Sequence, residues 1–146
     1  MENTYKSGSV NRSRPVELVF RHHVGYLHAF MRGRNVNLDT ARKVWEEIAV
    51  QCSENGYKKT LLEKDLAQDL QMGEIYYLSK ELGTLGLRGV SVAVVDRKEN
   101  HLESSRFAAT TAYNRGFNHR AFAHVNEAEQ WLSPGNSAGL TVPGSS

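Results

Sequence analysis

The chain has 146 residues, enough for one domain and too few for two full-sized ones. Hydrophobic residues make up 40% and charged residues 23%, a balance that supports a packed core, and the net charge of +2 is too small to imply a nucleic-acid partner by itself. Cys52 is the single cysteine, which excludes an internal disulfide framework and a zinc site built from several thiolates.

No apolar run approaches the roughly 18 residues that a membrane-spanning helix needs. Met1–Arg14 is polar and lacks the apolar stretch of a secretory signal, so a cytoplasmic protein without transmembrane association is expected. Positive charge concentrates at the start. Residues 1–34 hold six Lys and Arg against Glu2 and Glu17, which reads as a basic, solvated arm. Residues 1–14 and 133–146, rich in Ser, Asn, Gly and Pro, read as disordered tails around a single domain at 15–132.

Within that domain the hydrophobic period switches repeatedly. Glu17–His23 and Tyr26–Arg32 are strand-like, with Gly25 as the turn of an antiparallel hairpin. Leu38–Glu54 is an amphipathic helix that places Leu38, Ala41, Trp45, Ile48, Ala49 and Cys52 on one face, capped by Asn37 and closed by Gly56. Lys59–Glu63 is a short strand. Met72–Leu85 is a second helix, with Met72, Ile75, Tyr76 and Leu82 expected on its buried stripe. Val90–Asp96 is a continuous run of small and β-branched residues, the pattern of a strand buried on both faces of a parallel sheet. His101–Arg115 is a third helix, Phe117–Phe122 a last strand, and Asn126 with Glu129 a capping box for a short helix ending at Trp131 and Leu132.

The order ββαβαβαβα predicts an α/β domain: a mostly parallel open sheet of about five strands with one antiparallel edge strand. Successive right-handed crossovers would put every helix on one face. The other face would then be less covered and available for a homodimer or another partner.

Four stretches carry a resemblance, in this order: Gly25-Tyr26-Leu27; Val92-Ala93-Val94-Val95-Asp96; Arg106-Phe107-Ala108 with Asn114-Arg115-Gly116; and Phe122 with Glu127-Ala128 and Trp131-Leu132. Together they resemble the bacterial STAS/SEC14, or SpoIIAA-like, group, relatives of anti-sigma-factor antagonists. The resemblance covers most of residues 17–132 and implies a right-handed βα superhelix. It also implies a partner surface around the third strand and second helix. In the antagonists a serine in an Asp-Ser-x-Gly-type turn there accepts a phosphate. Here Asp69 matches the Asp and Gly73 loosely the Gly, Leu70 or Gln71 stands at the acceptor position, and residues 63–73 hold no hydroxyl.

The chemical candidates each have a structural alternative. Cys52 sits near a helix C-terminus, where the dipole disfavours a thiolate, so packing is expected rather than nucleophilic chemistry. The histidines, His22, His23, His28, His101, His119 and His124, lack metal-ligand spacing, and no metal or other cofactor is expected. Asp65 and Asp96 end strands at the sheet edge where open α/β sheets bind ligands, and Asp69 follows. They could do acid–base work or hold Mg²⁺, or accept local backbone hydrogen bonds as strand-end Asp residues do.

The strand-end loops bring Arg32 and Arg34, then Asp65 and Asp69, then Asp96 and Arg97 to one edge as a polar recognition rim. Arg115 is a further candidate for anion contact. A non-catalytic interaction module with a protein partner is the first reading. A domain that binds a small apolar molecule or lipid between helices and sheet is the second, and an enzyme using Asp65, Asp69 or Asp96 the third.

Overall fold

The structure is a computed structural model that describes residues 16–133 and the backbone of 3–6. Its sheet runs in sequential order. The strands are β1 (Asn3–Lys6), β2 (Val16–His22), β3 (Leu27–Asn35), β4 (Lys59–Gln68), β5 (Ser91–Asp96) and β6 (His119–Phe122). β2 and β3 form the expected antiparallel hairpin, and β3 through β6 are parallel. Gly25 makes the hairpin turn at φ +89°, a conformation that costs glycine nothing.

β1 is an addition to the expected five strands. It pairs antiparallel with the outer edge of β2, whose backbone groups would otherwise lack sheet partners. Residues 3–6 therefore form a strand within the expected N-terminal tail. The rest of that tail, and 134–146, lie outside the described residues.

Among the described residues there are four α-helices: α1 (Leu38–Asn55), α2 (Met72–Ser79), α3 (Leu102–Asn114) and α4 (Val125–Leu132). α1 begins where the Asn37 side chain accepts a hydrogen bond from the Thr40 amide at 2.8 Å, and ends at Gly56 with φ +74°. α2 stops at Ser79, and turns lead on to β5. α4 starts one residue before Asn126, so His124 occupies the cap position expected of Asn126.

The expectation of one helical face is corrected. α1, α2 and α3 cover the first face, where Leu18, Phe20, Ala29, Leu62, Val92 and Val94 meet Val44, Ile48, Leu78 and Ala112. α4 covers part of the second, packing Ala128, Trp131 and Leu132 on Leu61, Ala93 and Val95. The crossover rule constrains only a helix that connects two parallel strands, and no described strand follows α4. Two side-chain bonds tie it down, Tyr26 Oη to Glu129 (2.8 Å) and Lys59 Nζ to the Leu132 carbonyl (2.8 Å). α4 is also why every residue of β5 is buried. The part of the second face over β2 and β3 carries Glu17, Arg21 and Arg32 among Val19 and Phe30, so it is not the broad apolar surface expected.

Candidate functional site

At the carboxyl ends of β4 and β5 the first face turns polar. β4 alternates Leu62, Lys64 and Leu66 toward the helices, so Lys64 is carried inside by the strand period. Its ammonium contacts Asp69 at 2.5 Å and Asp96 at 3.8 Å, and all three side chains are largely buried. Asp96 also accepts from the Ser105 hydroxyl (2.7 Å) and the Lys98 amide (3.0 Å), while Asp69 accepts from the Leu70 amide (2.7 Å). Asp69 and Asp96 are therefore interior groups that hold the starts of α2 and α3 to the sheet, rather than members of a solvent-facing rim.

Asp65 belongs to the other face, one residue out of phase with Lys64. It pairs with Lys98 at 3.5 Å. Nearby, Glu63 accepts from His28 Nε2 (2.9 Å) and pairs with Arg97 (3.5 Å). The Arg32 and Arg97 guanidiniums lie 5.3 and 5.9 Å from the centre of the Phe30 ring. Burial pushes the His28 imidazole below its ordinary value, against the opposing pull of Glu63. Of the seven residues singled out from sequence, this face gathers Arg32, Asp65 and Arg97. Arg34 is exposed toward the end of β3.

Arg115 lies at the opposite end of the parallel strands, beside α2. Its Nε donates to Ser79 Oγ (3.0 Å), and its guanidinium sits 5.2 Å from the Tyr76 ring centre. Lys80 Nζ approaches the same ring at 4.8 Å. The buried stripe of α2 is Ile75, Leu78 and Ser79, continued by Leu82 in the turns beyond. Met72 and Tyr76, expected inside, occupy the adjoining helical row and are 54% and 48% exposed. Tyr77 is 53% exposed. Leu70, at the acceptor position that the resemblance implies, is buried.

Cys52 is buried on the inner face of α1, with its sulfur 3.1 Å from Thr60 Oγ1. Burial raises its thiol pKa, outweighing that hydrogen bond. Sequence reasoning passed over Lys64 and His119 as interior groups. The signal is strand alternation, which sets Lys64 between two leucines and His119 in phase with Phe117 and Ala121. No protein-family model matches the chain, and a search of curated proteins finds no match either.

Proposed function

We propose that the chain is a cytoplasmic, non-catalytic, STAS-like interaction module that meets a partner protein through the outer face of α2. The observation that carries this reading is the exposed Met72–Tyr76–Tyr77 surface, with Lys80 and Arg115 placed over the Tyr76 ring. Tyr and Arg are the residue types that concentrate binding energy at interfaces, and the two cations favour an acidic partner surface. The resemblance points to the same region, after the third strand of the expected order. The non-catalytic reading is supported by Asp69 and Asp96, whose oxygens meet groups of this chain. With Leu70 in place of a serine, control by phosphate at that turn has no hydroxyl to use.

The test places a photo-crosslinking amino acid at position 77 in cells, with position 24 as control because Val24 is 93% exposed on the distant hairpin. A discrete protein adduct from position 77 that is absent at 24 supports the proposal. It should fall at least about tenfold in Tyr76→Ala and in Arg115→Glu, the loss of one interface anchor. Both variants should retain wild-type stability within about 1 kcal/mol, as exposed positions do. Adducts of equal yield from both positions, or none from 77, would refute the reading.

A further inference from the structure

Gly73, Tyr76, Tyr77 and Lys80 stand at positions i, i+3, i+4 and i+7 of α2, and all four are exposed. Lys80 keeps helical backbone angles, so the four surround one point of the helix surface. A Cβ placed on Gly73 would meet nothing within 4 Å apart from its chain neighbours and the backbone of its own helix. The result is a notch floored by the glycine and walled by two half-exposed tyrosines. Four residues at this spacing form the hole that takes one side chain of a second helix when helices pack knob into hole.

Charge at the notch is one-sided. Lys80 and Arg115 both stand over the Tyr76 ring, and neither has a carboxylate partner among the described residues. Arg42, Lys43, Lys64, Arg97 and Lys98 each have one. Glu74, in the first turn of α2, is engaged by its own helix, where it accepts from the Gln71 amide at 2.9 Å. The C-terminal end of α2 therefore presents two cations available to an acid from outside.

The backbone of α2 is bonded within its helix, so this face has no row of N–H and C=O groups for an extended segment to pair with. An incoming helix satisfies its own backbone and buries only side chains, which suits a notch with aromatic walls. Antiparallel docking opposes the two helix dipoles and brings the incoming first turn over the C-terminal end of α2. Asp and Glu are the residues that a first turn favours, and Lys80 and Arg115 stand there to meet them. The exposed positions of α1, α3 and α4 are polar apart from Val50, and α2 has no unengaged acid in its own first turn, so a second copy of this chain does not supply such a helix.

Resting on the reading of α2 as a partner surface, we propose that its occupant is an amphipathic α-helix of another protein, with an acidic first turn, laid antiparallel on α2. One apolar side chain seats over Gly73 between Tyr76 and Tyr77, and Asp or Glu of the first turn meets Lys80 and Arg115.

The experiment uses the full chain with a benzophenone amino acid at position 77, which keeps an aromatic ring there, and maps the crosslinked residue of the partner by mass spectrometry. No adduct from position 77 ends both the reading of α2 and this inference. Where an adduct forms, the mapped residue should lie in a segment with apolar residues at helical spacing and an Asp or Glu about one turn before it. A peptide of that segment should gain helical circular dichroism on binding the full chain. Gly73→Leu fills the notch with a better helix former, so it should be at least as stable as wild type in urea, yet bind the peptide about tenfold more weakly or worse. Lys80→Ala combined with Arg115→Ala should weaken binding about fivefold at low salt and much less at about 1 M salt. A proline-rich or extended segment, a crosslink to a second copy of this chain, or undiminished binding by Gly73→Leu would overturn the inference while leaving α2 as the contact surface.

Discussion

Acidification should weaken the domain through His119, and the size of the effect follows from its burial. The ring lies among Trp45 and Phe117, and burial lowers its pKa from 6.5 to about 4. The unfolded chain, with an ordinary histidine, takes up a proton below about pH 6.5. The folded chain resists until about pH 4. Between those values the unfolded state binds more protons, so stability falls as pH falls. The loss begins near pH 6.5 and levels off below about 4, reaching at most about 3 kcal/mol at 1.36 kcal/mol per pH unit. At pH 5 about 2 kcal/mol should already be lost.

His28, also lowered by burial, acts in the same direction, so the wild-type profile alone does not isolate His119. The comparison is with His119→Phe, which keeps a ring against Trp45 and removes the titration. Urea unfolding of both chains at pH 7.5 and pH 5 gives two pH-dependent losses. The wild-type loss should exceed that of the variant by about 2 kcal/mol, or roughly 4–8 °C in Tm for a chain of this size. Losses that agree within about 0.5 kcal/mol would mean that His119 is hydrated or charged in the folded protein, and the reasoning fails.

Two further outcomes follow from the interior. Lys64→Met removes the cation that Asp69 and Asp96 share and should cost about 3 kcal/mol in urea unfolding, the penalty for leaving a buried charge unpaired; a loss below about 1 kcal/mol would mean that the cluster is solvated. Cys52, buried with a raised thiol pKa, should resist a polar thiol reagent at pH 7.5 and react once denaturant is added. Fast stoichiometric labelling without denaturant would show that the inner face of α1 is not seated on the sheet.

What was legible in the sequence was local. The hairpin, the alternation of strands with helices, the Asn37 cap and the Gly56 stop are each encoded within a few residues, because periodicity and capping depend on near neighbours. The apolar run of β5 announced burial on both faces. The lack of a hydroxyl in residues 63–73 is a property of the sequence alone.

The tertiary structure decided what covers what. α4 closes the second face because Trp131 and Leu132 find Leu61 and Val95 there, a pairing of segments far apart in the chain that no local period records. Three nearby carboxylates separated for a related reason: Asp65 falls on one side of the sheet, while Asp69 and Asp96 close on Lys64 on the other. Met72 and Tyr76 share helical spacing with the true buried stripe, so only the packing of α2 against α1, α3 and the sheet selects which row faces water. The histidine at the first position of β6 acquires its setting the same way. Strand alternation sends it inward, but only the docking of α1 on the sheet sets the Trp45 ring against it, and close packing between layers is a property of their docking.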